Sequence, residues 1–285
     1  MKVSIIGGGG RVGSDAAFCL QLGGIVREIA LMDMNVDMAA GEALDLRHGS
    51  ALTTSQVITS GGYEVVDGSD CVVITAGLRR KPDESRLELI NRNVGLFKGI
   101  LDSLKAVKLP KTATILVVSN PVDILTQLAV QRLGLPWQQV YGLGTMLDTS
   151  RFSSFIAEEL KLASSQVKAL ILGEHGDSMV PLPRFSTVAG IPLPELIPAA
   201  RLEEIVTRTR NGGIEIVNHL KTGSAYYAPS SSAVQMVESI VKNKRRILPC
   251  AVWLNGEYGL KGTVAGVPVK LGKNGVEQII EIKLQ

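Results

Sequence analysis

A run of four glycines near the start of the chain constrains its fold more than any other feature. Residues 7–10 follow the short apolar run Lys2–Ile6, and Gly8, Gly10 and Gly13 satisfy the pattern G-x-G-x-x-G. Glycines at this spacing allow a tight turn and let the backbone approach a pyrophosphate at the N-terminus of the next helix. Glycine runs also form ordinary turns, so the pattern needs a strand before it and a helix after it, and both are predicted here.

A second predicted strand, Glu28–Met32, adds to the dinucleotide interpretation. It ends at Asp33, twenty residues after Gly13. An acidic residue at this point accepts hydrogen bonds from the adenosine ribose hydroxyls and repels a 2′-phosphate. Met34 and Asn35 bring no positive charge for such a phosphate. The sequence therefore favours NAD over NADP, with dual use left open, and the alternative is that Asp33 only caps the next helix.

Strands and helices alternate through the first half of the chain. The predicted elements are strands at 2–6, 28–32, 56–60, 71–75 and 113–118, with helices at 11–22, 37–46 and 85–107. Such a series implies a parallel sheet with right-handed crossovers, in which ligands bind beyond the carboxyl ends of the strands. We therefore expect ligand-binding residues at the strand ends 75–77, 119–121 and 142–144.

The second half of the chain loses this strict alternation. Its predicted elements are a helix at 147–161, strands at 167–172 and 180–188, helices at 202–220 and 230–242, and strands at 247–254, 263–271 and 276–282. We therefore predict an α/β protein with an N-terminal Rossmann domain, a doubly wound parallel sheet over residues 1–143. A C-terminal α+β substrate or catalytic domain is predicted over residues 144–285.

One of only three histidines in the chain, His175, lies in the glycine-containing segment 173–178, directly after a predicted strand. Histidine exchanges protons near neutral pH, so a loop at a strand end suits it to general acid and base chemistry. A lone loop histidine is usually inert. Asp148 and Arg151, at the start of a predicted helix, have two interpretations: a simple ion pair, or an acid that orients the imidazole and an arginine that binds a substrate carboxylate.

The segment 78–86 carries four positive charges in nine residues: Arg79, Arg80, Lys81 and Arg86. A charge run is normally a solvated surface. Here it follows a strand at the expected cofactor edge of the sheet, and arginine binds carboxylates through paired hydrogen bonds. An anionic substrate is the resulting prediction.

Composition excludes several classes of protein. A net charge of +3, with one dense basic run at 242–246, fits a solvated helix end better than a nucleic-acid surface. No apolar run reaches the ~18 residues of a membrane span, and a strand beginning at residue 2 leaves no room for a signal peptide, so we expect a cytoplasmic protein. Cys19, Cys71 and Cys250 are widely spaced and lie in apolar contexts, so we expect buried free thiols and no metal site.

Five segments, in this order, resemble signatures of the malate/lactate dehydrogenase family, and the resemblance covers essentially the whole chain. They are Gly-Glu-Ala-Leu-Asp-Leu at 41–46, Ile-Thr-Ala-Gly at 74–77, Ser-Asn-Pro-Val-Asp at 119–123, Gly-Glu-His-Gly-Asp-Ser at 173–178 and Leu-Pro-Cys at 248–250. The resemblance implies NAD as cofactor. The cofactor-binding residues implied at matching positions are Gly8, Gly10, Arg11, Val12, Gly13, Asp33, Thr75, Ala76, Gly77, Asn93, Val118 and Asn120.

The same resemblance implies roles at the site of reaction. His175 would transfer the hydroxyl proton, while Asp148 would hold the far nitrogen of its ring. Arg151 would bind the substrate C1 carboxylate. Asn120 would hydrogen-bond near the reacting oxygen, and Arg86 would polarise the carbonyl. A cis peptide between Asn120 and Pro121 is also implied, which only a proline makes accessible.

Arg80 stands where malate enzymes of this family have arginine and lactate enzymes glutamine. Enclosing a second carboxylate without a counter-charge would cost several kcal/mol, so the predicted substrates are malate and oxaloacetate. Alternatives are a lactate or broader 2-hydroxy-acid dehydrogenase, or a non-catalytic NAD-binding sensor or structural protein. Relatives suggest a homo-oligomer, a tetramer or a dimer. Two departures from the family pattern are Asp83 in the charged segment and the extra glycine, which leaves either Gly7 or Gly8 as the first functional one.

Overall fold

The structure, a computed structural model, describes residues 1–78 and 84–284 of the 285-residue chain. The predictions made for Arg80 and Asp83 concern residues outside this described part.

Six parallel strands form the first part of the main sheet, in the order β3-β2-β1-β4-β5-β6. Each of β1, β2, β4, β5 and β6 is almost wholly buried, as expected where helices cover both faces of a parallel sheet. This is the strand order of a doubly wound dinucleotide-binding sheet, so the predicted Rossmann topology is confirmed. The strands are β1 (Lys2–Ile6), β2 (Glu28–Met32), β3 (Val57–Gly61), β4 (Cys71–Ile74), β5 (Thr114–Val117) and β6 (Val140–Gly142).

Eight α-helices connect or cover the strands within the described residues. They are α1 (Arg11–Leu22), α2 (Val36–Gly49), α3 (Arg86–Leu104), α4 (Val122–Leu133), α5 (Met146–Leu160), α6 (Leu193–Leu196), α7 (Ala199–Leu220) and α8 (Tyr227–Val241). The helix α3 begins with a reciprocal cap, in which Ser85 Oγ accepts a hydrogen bond from Glu88 N and the Glu88 carboxylate accepts one from Ser85 N. This cap fixes Arg86 as the first helical residue.

Three long antiparallel strands extend the same sheet beyond β6. They pair in the order β14-β13-β12-β6, and the junction is the pair Ala251 and Gly142. The main sheet is therefore mixed and has nine strands, and it continues across the boundary predicted near residue 143. Short strands make up two smaller sheets. The later strands are β7 (Val167–Lys168), β8 (Ile171–Leu172), β9 (Val180–Pro181), β10 (Thr187–Val188), β11 (Ile191–Pro192), β12 (Arg246–Asn255), β13 (Lys261–Gly272) and β14 (Gly275–Ile279).

Two predicted strands of the second half are interrupted. The predicted strand 180–188 is wrong as a single element, because Pro181 and Pro183 lack the N–H groups that a continuous ladder needs, and a short 3₁₀ turn separates β9 from β10. The predicted strand 167–172 is likewise divided into β7 and β8.

Two groups of buried apolar side chains hold the molecule together. The larger surrounds the main sheet. The smaller lies between α5 and α7, where Phe152 and Ile156 pack with Leu202 and Ile205. Each fully buried large apolar side chain contributes about 1.5–3 kcal/mol. This second group therefore fixes α5, including its first turn, against α7.

Candidate active site

Gly7 is the first glycine of the loop that the backbone requires. Its φ is +91°, a conformation that favours glycine, and a Cβ there would lie 2.6 Å from the backbone nitrogen of Ala76. A Cβ at Gly13 would collide with the carbonyl oxygen of Gly7. A Cβ at Gly8 would also lie 2.8 Å from Leu31 Cβ, so close contacts restrict both positions, and the positive φ belongs to Gly7 alone. Gly7 is absent from the predicted site residues.

The N-terminus of α1 has the features of an anion site. Its N-cap is Gly10, which offers no side chain to the N–H groups of the first turn. The helix α8 covers this turn, since Ser230 Oγ donates a hydrogen bond to the carbonyl of Val12 at 2.8 Å. The guanidinium of Arg11 lies 5.0 Å from the ring centroid of Tyr226. These residues therefore fit a diphosphate at the end of the helix.

Asp33 lies beside the glycine loop and is not the cap of the next helix. Its Oδ2 accepts a hydrogen bond from Gly9 N at 3.0 Å and its Oδ1 accepts one from Asn35 N at 3.0 Å. The N-cap of α2 is Asn35, whose side chain accepts from Met38 N at 3.2 Å. The Asp33 carboxylate is thus held at the carboxyl end of β2, where a ribose would lie in a sheet of this topology.

The other predicted cofactor residues lie at the carboxyl ends of β4 and β5. Thr75 Oγ1 donates to the carbonyls of Ile6 and Gly7, at 3.2 Å each. Val118 N donates to the carbonyl of Ile74 at 2.9 Å. This edge therefore joins the glycine loop to the two neighbouring strand ends.

Two asparagines complete that edge. The buried Asn93 of α3 accepts a hydrogen bond from Leu78 N at 2.8 Å and lies beside Gly77. Asn120 is exposed, and its Oδ1 accepts from Val122 N at 3.3 Å. The predicted cis peptide between Asn120 and Pro121 is confirmed.

Asp148 contacts two other predicted site residues, His175 and Arg151. It is fully buried in the first turn of α5, where the helix dipole favours a negative charge. Its Oδ2 lies 2.6 Å from His175 Nδ1, and its Oδ1 lies 3.2 Å from Arg151 Nη1. The two interpretations offered by the sequence are therefore not exclusive, because Asp148 is an i,i+3 ion-pair partner and also contacts the imidazole.

The environment of His175 favours its charged form. Burial alone would lower the pKa of the imidazole, but the hydrogen bond and the negative charge of Asp148 outweigh it, and the pKa is raised from its ordinary value. Burial lowers the pKa of Arg151, with Asp148 opposing the change; an arginine nevertheless keeps its charge in proteins. The site therefore holds one permanent cation beside a histidine whose charged form is favoured.

Asp123 is a site residue that the sequence reasoning missed. It lies in the first turn of α4, and its Oδ2 accepts a hydrogen bond from the backbone N–H of His175 at 3.0 Å. Burial raises the pKa of this carboxyl to about 6, while the hydrogen bond from His175 opposes the rise. The residue belongs to the segment 119–123, so an acid three positions after a strand-end asparagine was the available signal.

Arg86 lies at the surface, where it contacts Asp177. Its Nη1 lies 3.6 Å from Asp177 Oδ2, and the two side chains are 74% and 89% exposed. Arg80, the other predicted substrate-binding arginine of this segment, lies outside the described residues.

The described residues contain no cluster of three His, Cys, Asp or Glu side chains suited to a metal ion. Of the three free cysteines, Cys71 and Cys250 are buried as predicted, whereas Cys19 is only partly buried. No helix in the described ranges combines the length and the apolarity that crossing a membrane demands.

Comparison with known proteins gives matches over both halves of the chain. The model for the NAD-binding domain of lactate/malate dehydrogenases matches residues 1–142, and the model for their α/β C-terminal domain matches residues 145–285. The chain belongs to the lactate/malate dehydrogenase family. Within this family it is 47% identical over 286 residues to a malate dehydrogenase of Chlorobium limicola, an alignment that covers 100% of this chain and 91% of the relative.

Solved structures of the family have the same fold. A malate dehydrogenase from Salinibacter ruber is 44% identical, with a TM-score of 0.93 over 100% of this chain and 90% of that one. A lactate dehydrogenase from Cryptosporidium parvum, solved with lactic acid and NAD, is 35% identical, with a TM-score of 0.93 over 100% of this chain and 90% of that one. Both substrate classes are thus represented among its structural relatives.

Proposed function

We propose that the chain is an NAD-dependent malate dehydrogenase, which interconverts (S)-malate and oxaloacetate. The observation that carries the proposal is the placement of Asp148 between His175 and Arg151, which puts a proton-exchanging group next to a carboxylate-binding one. Support for malate over lactate comes from the identity of 46–47% to several malate dehydrogenases and from the presence of Arg80 in the charged segment.

His175 is the general acid and base of the proposed reaction. In malate oxidation the neutral imidazole takes the hydroxyl proton at Nε2, because Nδ1 is occupied by Asp148. The charge of Asp148 then stabilises the imidazolium. In oxaloacetate reduction the charged His175 returns the proton to the forming hydroxyl, and its raised pKa favours this charged form.

The arginines bind and orient the substrate. Arg151 is mostly buried, and its Nε is unpaired within residues 1–78 and 84–284, so the guanidinium retains donors for a C1 carboxylate. Asn120 hydrogen-bonds near the reacting oxygen. Arg86 would polarise the carbonyl, which requires it to exchange its surface contact with Asp177 for the substrate. Arg80 would pair with the second carboxylate of malate.

The glycine loop and the adjacent strand ends bind the cofactor. The first turn of α1 would hold the diphosphate, with Arg11 beside it, and Asp33 would accept hydrogen bonds from the ribose. The predicted residues around Thr75, Asn93 and Val118 would line the remaining length. When bound, NAD would supply the redox chemistry as the acceptor of the hydride that malate loses from C2.

We extend the proposal to the organisation of the protein. A dinucleotide-binding domain over 1–143 and a catalytic domain over 144–285 agree with the ranges of the two family models. A homo-oligomer, either a tetramer or a dimer, and a cytoplasmic location fit a metabolic dehydrogenase with exposed apolar helix faces.

NADH oxidation, followed at the nicotinamide absorbance, tests the substrate assignment. Oxaloacetate and pyruvate are compared for the native chain and for Arg80→Gln. We expect a strong preference for oxaloacetate in the native chain, with a reduction of roughly 10²-fold or more in that preference on substitution, because a desolvated carboxylate then loses its counter-charge.

Each other result has a definite meaning. A native preference for pyruvate would replace malate by lactate while leaving the dehydrogenase assignment intact. NADH binding without reduction of either acid would favour a non-catalytic NAD-binding protein.

A further inference from the structure

The loop that carries His175 is fixed at one end by the sheet. Gly173 and Gly266 of β13 exchange two backbone hydrogen bonds of 2.8 Å each. Beyond Gly173 the loop turns on itself, with Gly176 N donating to the carbonyl of Glu174 at 3.0 Å. Leu172 pairs with Val180 of β9, so strand pairing closes the loop at its far end as well. Between these paired ends the glycine-containing turn keeps backbone freedom. The imidazole therefore needs another restraint to keep its ring at Asp148.

That restraint comes from a different element. The N–H of His175 donates to Asp123 Oδ2 at 3.0 Å, and Asp123 is 52 positions away in the first turn of α4. The other oxygen, Oδ1, is buried and has no hydrogen-bond partner in the described part of the chain. A buried carboxylate with one unpaired oxygen costs folding free energy. Its contact with the histidine loop offers a functional reason for this residue at this place.

We propose that Asp123 is a positioning residue for the reaction: its carboxylate fixes the backbone of His175 so that the imidazole ring meets Asp148. The inference rests on the proposed function, since it concerns the group that transfers the proton. His175 is then held at two points, its backbone by Asp123 and its ring by Asp148. Both carboxylates lie in the first turn of a helix, Asp123 in α4 and Asp148 in α5.

Asp123 also acts on the charge of the ring. Above its pKa of about 6, the ionised carboxylate adds to Asp148 in raising the pKa of His175, whereas Arg151 opposes both. The groups that face Asp123 are His175, which favours its ionised form, and Glu174 and Asp148, which oppose it. Removing the charge of Asp123 while keeping an acceptor for the N–H should therefore lower the pKa of His175.

Two substitutions separate these effects. Asp123→Asn keeps a carbonyl acceptor and removes the charge, whereas Asp123→Ala removes both. Asp70→Ala is the matched control, because Asp70 Oδ2 accepts a backbone N–H from Lys2 at 2.7 Å at the opposite, amino edge of the sheet. The readouts are kcat and KM for oxaloacetate and NADH, and NMR titration of the imidazoles, which is tractable because the chain has only three histidines.

We expect Asp123→Ala to lower kcat roughly tenfold or more, with KM for NADH changed less than about twofold, because the proton donor is misplaced while the cofactor site is intact. Asp123→Asn should keep kcat within about threefold at the optimum pH but shift the His175 titration to lower pH. Asp70→Ala should leave both readouts at their native values.

Native kcat in Asp123→Ala would overturn the positioning role, as would equal losses in Asp70→Ala. An unchanged His175 titration in Asp123→Asn would overturn the electrostatic part, and it remains measurable even if Asp123→Ala does not fold. If the native chain reduces no 2-oxo acid, the proposed function fails, and the imidazole titration still decides whether Asp123 acts on His175.

Discussion

At the scale of the residue, Asp148 is the group that the proposed chemistry requires most. One of its oxygens contacts the imidazole and the other the guanidinium, in a fully buried position. If a buried carboxylate loses one partner, part of its negative charge is left uncompensated. Loss of either contact would therefore also disturb the other. The pair His175 and Arg151 is therefore coupled through Asp148.

Asp148→Asn should lower kcat by roughly 10²- to 10⁴-fold, because the amide removes the charge that stabilises the imidazolium and selects its tautomer. The substitution also removes the larger of the two carboxylate charges that raise the pKa of His175, the other being Asp123, so burial weighs more and the pKa falls. Oxaloacetate reduction requires the charged imidazole and declines as pH rises through this pKa. That alkaline decline should therefore occur at lower pH in the variant.

The measurement is kcat against pH in both directions of reaction. Malate oxidation, which needs the neutral ring, should remain active to lower pH in Asp148→Asn. His175→Asn serves as the reference: it should abolish the pH limb and most of kcat while NADH binding persists. An unchanged alkaline limb in Asp148→Asn would contradict the electrostatic role.

Sequence reasoning brought together most of the site at this scale but not Asp123. Asp148, Arg151 and His175 were placed by motif and strand-end position, and the structure joins them directly. The hydrogen bond from His175 N to Asp123 involves a backbone group, and no side-chain pattern reports where a backbone N–H points. Such contacts become visible only when the loop conformation is known.

At the scale of the element, the helix α7 contains a feature that its own stability does not explain. Gly212 and Gly213 lie in its interior, where glycine is less favourable than alanine by about 0.8–1.0 kcal/mol per residue. A Cβ at Gly212 would lie 3.2 Å from Arg151 Cδ, and one at Gly213 would lie 3.7 Å from its Nη atoms. The glycines thus give Arg151 room to lie against the helix.

Gly212→Ala should raise KM for oxaloacetate roughly tenfold, since a new methyl group displaces Arg151 and weakens a charge-assisted contact worth about 1.5–3 kcal/mol. The affinity for NADH should be unaffected. Gly99→Ala in α3 is the matched control, because a Cβ there meets no described atom within 4 Å.

Steady-state kinetics and thermal unfolding of both variants provide the test. The control should gain stability of about 0.5–1 kcal/mol at native KM, through helix propensity alone. Gly212→Ala with native KM and the same gain would show that Arg151 does not need the space.

The element scale also shows where sequence patterns succeed. The strand β2 and the helix α1 match their predicted bounds, because a short apolar run and the glycines that flank the helix, Gly10 and Gly23, are local signals. The predicted strand 180–188 failed because its apolar pattern outweighed two prolines in the interpretation, although proline removes a ladder donor. The two prolines are therefore the local signal in the sequence that predicts the break.

At the scale of the whole molecule, partners far apart in sequence decide the arrangement. The second half joins the first through the pair Ala251 and Gly142, and ion pairs between α5 and α7 connect Glu159 with Arg201 and Glu158 with Arg208. The basic run 242–246 is also paired, with Glu238 nearby in sequence and with the more distant Glu277. The sheet junction and the α5–α7 ion pairs have no local signal, so periodicity could predict the fold class but not how the halves join.

Part of the apolar surface of the single chain is exposed to solvent. Phe18 and Leu22 of α1, with Met38 and Leu44 of α2, are each about half exposed, and the two helices contact each other. Exposed apolar groups on neighbouring helices are typical of subunit interfaces. The proposed homo-oligomer is therefore expected to bury this α1/α2 surface.

Light scattering coupled to size exclusion tests the assembly directly. The native chain should elute at a multiple of 30.4 kDa, and Leu44→Glu should shift the mass towards the monomer, because a carboxylate in an apolar interface is desolvated without a partner. Ile247→Glu is the control, an equally apolar and exposed residue at the start of β12, and it should keep the native mass. A monomeric native chain would exclude the oligomer, and a native mass in Leu44→Glu would place the interface elsewhere on the surface.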